Sequence, residues 1–386
     1  MNKAQPIVVL GSGLAGYTLV RELRKLDREV AITLVSRDSG DYYSKPMLSN
    51  ALAQRKTAES LVITAAMEMA KQLNFTLLQH TEVLGIDREC KQLQTSAGVI
   101  AYGRLVLALG ADPIRLPLQG DASDAVMSVN DLADYAKFRV AIESTKQGTK
   151  QIAIIGAGLI GCEFANDLAS AGYAVTVIDP TAYPLSGLMP EQAGQQLLAP
   201  LAELGVTWRF GAAVKAVNKS SSGYALTLTD DSILHADLVL SAVGLRPRIE
   251  LAHKAGLVVN RGIVVDAQLR SCDADIYALG DCAEIEGRLL PYVLPIMHAA
   301  RALARVFAGE DMRVEFPAMP VVVKTPAHPV AVVPVARDAP GAWQVMANGQ
   351  GIKLGFVDTQ NQLRGFALTG AYAAERSEMA KQLSTK

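Results

Sequence analysis

Most of the chain alternates short apolar runs with longer stretches in which apolar residues recur at helical spacing. The runs at 7–10 and 152–155 each lead into a glycine-rich turn and then into such a stretch, which predicts strand, turn and helix in that order. A second apolar run follows each helix, at 31–35 and at 175–178. Repeated β-α-β units of this kind are typical of an α/β fold with parallel sheets.

Two later apolar runs also end in glycine. In the segment 104–109 the run that follows Arg104 stops at Gly110, and in the segment 237–243 the run that follows Asp237 stops at Gly244. Because each run closes a stretch that began with a glycine-rich turn, the sequence predicts two similarly built lobes. Residues of about 114–244 form the second lobe as one contiguous nucleotide-binding domain.

The central turn follows a G-x-G-x-x-G pattern. Gly156 allows the tight turn, Gly158 lets the backbone approach a pyrophosphate, and Gly161 lets the helix pack closely on the strand. The helix N-terminus is then free to hold the phosphates. Asp179 ends the next strand, near the spacing of roughly 20 residues at which a ribose-binding acid is expected. An ordinary glycine-rich turn would not need all these features in register, so we expect a dinucleotide site.

The same pattern occurs at the N-terminus, where Gly11, Gly13 and Gly16 follow the first apolar run. Two such turns in one chain predict two bound nucleotides. The usual chemical reason to hold two is to pass a hydride from one to the other. The sequence therefore favours a redox enzyme.

The end of the second strand departs from the usual pattern of such sites. A Glu commonly binds the adenosine ribose there, whereas this chain has Ser36 followed by Arg37 and Asp38. The ribose contact is open between Arg37, Asp38 and the backbone alone.

Lys45 directly precedes Pro46, which can open a helix. A cation at a helix N-terminus opposes the helix dipole. Two interpretations are open. Lys45 is either a solvated surface lysine or a lysine placed toward a ring that becomes anionic, with the opposed dipole lowering its pKa.

The stretch after residue 247 carries one further candidate. Asp281 follows Gly280 at the end of a short apolar strand, where it is either a simple turn residue or a carboxylate that binds a polyol.

A proline-broken segment at 290–295 precedes a helix that we expect at about 298–308. The N-terminus of that helix could stabilise negative charge on a cofactor.

From about residue 316 the pattern changes to strand-like alternation, which predicts a small antiparallel sheet in a C-terminal domain. A segment of this size is too small for a generous core of its own. We expect it to pack on the first lobe.

Composition narrows the function further. The chain has 386 residues, half of them hydrophobic, and a net charge of −1, so nothing points to nucleic acid or to a charged membrane surface. No signal peptide or apolar run of membrane-spanning length is visible, and we expect a cytoplasmic protein. The four cysteines form no C-x-x-C or C-x-x-x-x-C pair, so neither a zinc ribbon nor a local redox disulfide is encoded, and we expect no metal site.

These motifs resemble the glutathione-reductase-type flavoproteins over residues of about 5–310. Within that group, the segments at 43–49 and 161–168 and the Val323-Lys324-Thr325-Pro326 motif are similar to bacterial rubredoxin–NAD reductases. The resemblance implies an α/β fold with two Rossmann-like domains and a small α+β C-terminal domain. FAD would bind residues 1–113 and 245–315, NADH would bind residues 114–244, and residues 316–386 would form the last domain.

The resemblance also implies site residues. FAD contacts are expected at Gly11, Gly13, Gly16, Lys45, Asp281 and Lys324, and NADH contacts at Gly156, Gly158 and Gly161. Further cofactor contacts are expected at Ser12, Leu14, Ala15, Ser36, Arg37, Val83, Gly110, Leu159, Ile160, Glu163, Asp179, Gly244 and Gly280. Lys45 and Glu163 match the lysine–glutamate pair beside the flavin. In that pair Lys45 would stabilise charge on the reduced flavin, and Glu163 would hold Lys45 in place.

The missing redox disulfide predicts that electrons leave from the flavin itself, singly, to a protein carrier. The resemblance names rubredoxin as that carrier, in a chain that feeds alkane hydroxylation or oxygen detoxification. Asp179 favours NADH, since it accepts from a 2′-hydroxyl and repels a 2′-phosphate, and no Arg lies between it and Gly187. Carriers of this sort are acidic, so we expect a basic surface near the flavin edge.

Three other functions are open. A ferredoxin reductase needs the same residues and differs only in its docking surface. An NADH oxidase or peroxidase of the same fold uses a lone cysteine early in the first lobe, whereas the first cysteine here is Cys90. A non-enzymatic redox sensor would show no turnover with any acceptor.

Overall fold

The computed structural model describes residues 5–143 and 150–383. The strands before residue 114 are β1 (Ile7–Leu10), β2 (Ile32–Val35), β3 (Tyr42–Tyr43), β4 (Val62–Thr64), β5 (Thr76–Leu78), β6 (Val83–Asp87), β7 (Gln92–Thr95), β8 (Gly98–Ala101), β9 (Arg104–Leu107) and β10 (Ala111–Pro113). The helices of this part are α1 (Leu14–Leu26), α2 (Ala58–Leu61) and α3 (Ala66–Gln72).

The strands of the middle part are β11 (Gln151–Ile155), β12 (Ala174–Asp179), β13 (Val206–Phe210), β14 (Val214–Ser220), β15 (Gly223–Leu228), β16 (Ile233–Ala236) and β17 (Leu238–Ser241). Its helices are α4 (Leu132–Glu143), α5 (Leu159–Ser170), α6 (Glu191–Gly194) and α7 (Leu198–Glu203). Short 3-10 helices also occur, at Lys45–Asn50, Ser123–Ala125, Gln195–Leu197 and Gly370–Glu375.

The strands of the last part are β18 (Leu245–Pro247), β19 (Ile263–Val265), β20 (Ile276–Ala278), β21 (Ala283–Ile285), β22 (Arg288–Leu289), β23 (Val321–Val323), β24 (Val330–Val333), β25 (Gly341–Gly349), β26 (Gly351–Asp358) and β27 (Leu363–Thr369). Its helices are α8 (Glu250–Lys254), α9 (Val293–Phe307) and α10 (Arg376–Gln382).

The chain divides into two compact units. The first comprises Met1–Lys45, Glu59–Asp112 and Leu245–Phe316, and the second comprises Pro46–Ala58, Pro113–Gly244 and Pro317–Lys386. Each unit contains a parallel sheet, and one strand of that sheet (β1 or β11) leads into a glycine-rich turn and a helix. The α/β class expected from the apolar runs is therefore confirmed.

The first unit is built on a five-stranded parallel sheet with strand order β20-β9-β1-β2-β5. Every residue of β1 is buried, as expected of a central parallel strand covered on both faces. Helix α1 packs against α9. The carboxyl ends of β1 and β2 lie side by side, with Leu10 opposite Val35, and they carry the first glycine turn and Ser36.

Helix α9 starts earlier than the sequence led us to expect. It begins at Val293 rather than near His298, and Pro295 lies in its first turn. The first backbone N–H groups of a helix have no acceptor within the helix, so a proline there removes no helical hydrogen bond. The expectation of a proline-broken segment was therefore wrong at this point.

The second unit contains a parallel sheet of order β13-β12-β11-β17 and an antiparallel sheet of order β14-β15-β16. Its C-terminal segment adds a five-stranded antiparallel sheet of order β23-β24-β27-β26-β25. Met379 of α10 and Leu383 pack with Phe366 and Leu368 of that sheet in one apolar cluster. The segment belongs to the same unit as the central glycine turn, and helix α5 contacts β23, so our expectation that it packs on the first lobe is not met.

Strand β25 is an edge of the C-terminal sheet. Val345 and Met346 in this strand expose 53% and 50% of their surface. The pairing of β25 with β26 shifts register between Val345 and Ala347.

Within the described part of the chain, no helix is both long and apolar enough to cross a membrane.

Candidate functional site

The first glycine turn is closed tightly on itself. Gly11 has a φ of +118°, and a Cβ there would lie 2.2 Å from the Ala108 carbonyl oxygen. A Cβ at Gly16 would lie 2.0 Å from the Gly11 carbonyl oxygen, whereas a Cβ at Gly13 would meet nothing within 4 Å. Gly11 and Gly16 therefore serve the packing of the turn, and Gly13 borders open space.

Helix α1 opens toward that space with unsatisfied donors. It begins at Leu14, and its N-cap Gly13 supplies no side-chain hydrogen bond. The N–H groups of the first helical turn, at Leu14, Ala15 and Gly16, thus have no acceptor within the helix. Free N–H groups at a helix N-terminus beside a bare backbone suit a pyrophosphate, so the residues present fit the expected FAD.

The second turn repeats this geometry. Gly156 has a φ of +108°, and a Cβ at Gly161 would lie 1.9 Å from the Gly156 carbonyl oxygen. Gly158 again borders open space and caps α5 without a side-chain hydrogen bond, so the N–H groups of Leu159, Ile160 and Gly161 lack helical acceptors. The residues present fit the pyrophosphate of NADH.

Both carboxylate oxygens of Asp179, the acid at the end of β12, accept hydrogen bonds. One oxygen of Asp179 accepts from the Ala157 N–H at 2.7 Å, and the other accepts from the Thr181 N–H at 2.8 Å and the Thr181 hydroxyl at 2.6 Å. Asp179 thus holds the glycine turn in shape while lying at the end of β12. A ribose hydroxyl would share a carboxylate whose position is already fixed.

The corresponding end of β2 in the first unit carries three polar side chains. Ser36 is buried, and its hydroxyl lies 2.7 Å from the Ser12 hydroxyl and donates to Asp38 at 2.5 Å. The same Asp38 oxygen accepts from the Gly40 N–H at 2.9 Å. Arg37 is exposed. The hydroxyls of Ser12 and Ser36 therefore converge on Asp38, which is the carboxylate at this end of the strand.

Gly280 lies beside the start of α1. A Cβ at Gly280 would lie 2.8 Å from the Ala15 Cβ, which places Asp281 near the first turn of that helix.

Cys282 is fully buried, and burial raises the pKa of its thiol to about 11. Burial also raises the pKa of the Cys162 thiol. Both groups are therefore protonated thiols at neutral pH and unsuited to thiolate chemistry.

The glycines that end the two closing strands both adopt positive φ. Gly110 has a φ of +72°, and its carbonyl oxygen accepts from the Arg248 N–H at 3.0 Å. The Arg248 guanidinium binds Asp112 and lowers the pKa of that carboxyl. In the second unit, Gly244 has a φ of +111°, and its carbonyl oxygen accepts from the Ile114 N–H at 3.0 Å.

Val83, the remaining expected cofactor contact, is half-buried at the start of β6.

Glu163 lies on α5 and is fully buried. Its carboxylate accepts from the Lys324 N–H at 2.9 Å, from the Lys324 ammonium at 2.6 Å and from the Ser49 hydroxyl at 2.5 Å. The structure therefore brings two expected site residues, Glu163 and Lys324, into direct contact. Lys45 is the last residue of the first segment of the first unit, and its pairing with Glu163 stays a prediction.

Sequence reasoning missed two buried polar residues on the same face of α5. Asp167 accepts from the Leu52 and Ala53 N–H groups at 2.9 and 3.0 Å, and Asn166 accepts from the Ala327 N–H at 3.1 Å. Burial raises the pKa of Asp167. Their spacing of three and four residues from Glu163, in an otherwise apolar helix, is the signal that points to them.

Comparison with known proteins gives two matching family models. Residues 5–304 match the family described as "Pyridine nucleotide-disulphide oxidoreductase", and residues 313–383 match the "Rubredoxin binding C-terminal domain". The first match covers well over half of the chain.

Full-length relatives agree with these models. The chain is 48% identical to the "Rubredoxin-NAD(+) reductase" of Alcanivorax borkumensis, over 98% of both chains. It is 44% identical to the "Rubredoxin-NAD(+) reductase" of Acinetobacter baylyi, over 96% of this chain and 95% of that one. Among solved structures, the reductase chain of a covalent putidaredoxin reductase–putidaredoxin complex is 26% identical, with a TM-score of 0.88 over 99% of this chain and 94% of that one. The chain therefore belongs to the pyridine nucleotide-disulphide oxidoreductase family and, within it, to the rubredoxin-NAD(+) reductases.

Proposed function

We propose that this chain is an NADH:rubredoxin oxidoreductase. Its cofactors are FAD and NADH; bound FAD accepts a hydride from NADH and can release the two electrons one at a time. The observation that carries the proposal is that two glycine turns of the same geometry share a chain with a segment that matches a rubredoxin-binding domain. We assign FAD to residues 1–113 and 245–315 and NADH to residues 114–244.

The residues of each turn have separate tasks. In the first, the N–H groups of Leu14 to Gly16 bind the FAD pyrophosphate, and Asp281 binds the polyol that joins it to the ring system. Asp38 takes the adenosine ribose, because the Ser12 and Ser36 hydroxyls orient its carboxylate and no Glu ends β2. In the second, Asp179 takes the NADH ribose.

The charged residues beside the flavin keep their expected roles as proposals. Lys45 would stabilise negative charge on the ring, and Lys324 would add a second cation whose position is fixed by Glu163. Because Glu163 is fully buried and holds Lys324 by both its main chain and its ammonium, a displaced Lys324 would leave an uncompensated buried carboxylate. The pair is thus a rigid element of the site.

A ferredoxin-type carrier is the second candidate acceptor. It is favoured by the likeness to the putidaredoxin reductase chain, which was solved in a covalent complex with putidaredoxin. An oxidase that uses a cysteine thiolate is disfavoured. The thiols of Cys162 and Cys282 are buried, which raises their pKa values. The other two cysteines, Cys90 and Cys272, are exposed.

We place the reaction in the cytoplasm. Free cysteines that include two exposed thiols are typical of a reducing compartment, and NADH is supplied there. We expect the electrons to serve a hydroxylation chain, such as that for alkanes, in which rubredoxin is the intermediate carrier.

The proposal is tested by reducing the FAD-loaded protein with NADH under anaerobic conditions and mixing it with purified rubredoxin in a stopped-flow instrument. We expect flavin reoxidation by rubredoxin at least about tenfold faster than by ferredoxin run alongside, because a surface fitted to one partner discriminates against the other. A tenfold difference in rate needs a difference of only about 1.4 kcal/mol in the activation free energy. Faster flavin reoxidation by ferredoxin would show that ferredoxin, and not rubredoxin, is the acceptor. Slow reaction with both carriers and rapid reaction with oxygen would show that the protein is an oxidase.

A further inference from the structure

Residues 51–56 form a turn, here called the anchored turn, that is partly exposed and yet held by several hydrogen bonds. It is closed by its own backbone, with the Arg55 N–H donating to the Leu52 carbonyl at 2.8 Å and the Lys56 N–H donating to the Ala51 carbonyl at 2.9 Å. Arg55 has a φ of +55°, in the left-handed region that side chains rarely adopt. A conformation of this kind persists only where the surroundings impose it.

Two helices impose it. Asp167 of α5 accepts from the N–H groups of Leu52 and Ala53, as described above. The Tyr135 hydroxyl and the Arg139 guanidinium of α4 both donate to the Lys56 carbonyl, at 3.0 and 3.2 Å. The anchored turn is thus held at both of its ends by buried or half-buried side chains.

What the turn presents is positive charge. Residues 46–58 contain Arg55 and Lys56 and no Asp or Glu. Arg55 is exposed, and its guanidinium has no hydrogen-bond or ion-pair partner among residues 5–143 and 150–383. The whole chain carries a net charge of −1, so a cationic turn is not a consequence of a basic composition.

The anchored turn lies beside the segment that matches the rubredoxin-binding domain. Along one face of α5, Asp167 holds the turn, while Asn166 and Glu163 hold Ala327 and Lys324. Residues 324–327 belong to the matched range of 313–383. Because neighbouring side chains of α5 hold both segments, a partner docked on residues 324–327 would lie close to the anchored turn and to Arg55.

We propose that the anchored turn, with Arg55 at its tip, is part of the docking surface for the acidic iron–sulfur carrier, rubredoxin. This inference rests on the proposed function. The fixed backbone keeps a cation in place before the partner arrives, which lowers the ordering cost of association. Charges on the rim of a docking surface chiefly raise the rate of association and make it depend on salt.

The test compares Arg55→Glu and Arg55→Asn in the FAD-loaded protein, using purified iron-loaded rubredoxin as the probe. Asn tolerates a positive φ, so Arg55→Asn removes the charge without disturbing the turn. Lys219→Glu is the matched control, because Lys219 is an exposed lysine of β14 in the same unit. We measure the second-order rate constant of rubredoxin reduction at several salt concentrations, and flavin reduction by NADH separately.

We expect Arg55→Glu to lower the rubredoxin rate constant about tenfold at low salt and Arg55→Asn to lower it by about threefold, with both differences fading as salt screens the charges. Flavin reduction by NADH is expected to stay unchanged in both variants. Equal rate constants for Arg55→Glu and Lys219→Glu, in a protein that reduces rubredoxin, would overturn the docking surface alone. A wild-type protein that is reduced by NADH but does not reduce rubredoxin would overturn the proposed function and this inference with it.

Discussion

The two glycine turns differ less at their glycines than at the strands beside them. In both, the last glycine faces the first at a distance that leaves no room for a Cβ, and the middle glycine faces open space. At the neighbouring strand end, the second unit has one carboxylate, Asp179, that also braces its own turn. The first unit reaches its carboxylate, Asp38, through two hydroxyls. The glycine turn therefore tolerates little variation, whereas the neighbouring strand end, where we propose that the ribose binds, can be built in more than one way.

The largest effect is expected where the two turns are the same. Gly16→Ala and Gly161→Ala each place a Cβ about 2 Å from a main-chain oxygen that cannot move away. We expect each variant to lower the free energy of unfolding by about 3 kcal/mol, as overpacking of a closed site does. Urea unfolding of the two purified proteins measures this loss.

Gly13→Ala and Gly158→Ala are the matched controls, since a Cβ at either position meets open space. They are expected to keep wild-type stability and to weaken binding of the nucleotide that each turn holds, because the methyl group displaces the pyrophosphate. Stability losses equal to those of the inner glycines would contradict the division of tasks within each turn.

A smaller effect is expected at the ribose end of the second unit. Asp179→Asn keeps the shape of the side chain but loses the charge and one accepting oxygen, so the KM for NADH should rise about tenfold and discrimination against NADPH should weaken. Steady-state kinetics with both nucleotides measure the change. Thr181→Ala, which removes only a hydroxyl that donates to Asp179, should leave the preference for NADH intact. Unchanged KM values in Asp179→Asn would remove Asp179 from the ribose site.

The smallest effect is expected at the end of β2 in the first unit, because the contacts that we propose to the FAD pyrophosphate and polyol would remain. Asp38→Asn should increase the dissociation constant of FAD about fivefold, which corresponds to the loss of one hydrogen bond to a charged group at an exposed site. Fluorescence titration of the apoprotein with FAD measures it. Arg37→Ala serves as the comparison, and a larger loss there than in Asp38→Asn would transfer the ribose contact to Arg37.

The sequence predicted most where the physical cause is local. The glycine turns, their strands and Asp179 follow from backbone sterics and short spacing, and the structure contains them as expected. The start of α9 was misplaced because proline is a poor helix residue except in the first turn, where Pro295 lies. The contact between Glu163 and Lys324 joins residues 161 positions apart, so periodicity gave no sign of it. The packing of the C-terminal sheet likewise depends on surfaces that no local pattern describes.

The outer strand of that sheet has a consequence for how the protein behaves in concentrated solution. Strand β25 is nine residues long, contains no charged side chain and lies at an edge, which makes it a potential template for a strand from another molecule. The usual safeguard, a lysine on the edge, is absent from the strand. The irregular pairing between Val345 and Ala347 takes its place, because a bulge bends the edge and interrupts the ladder that a second chain would need. The β25 edge is thus protected against self-association by its shape rather than by charge.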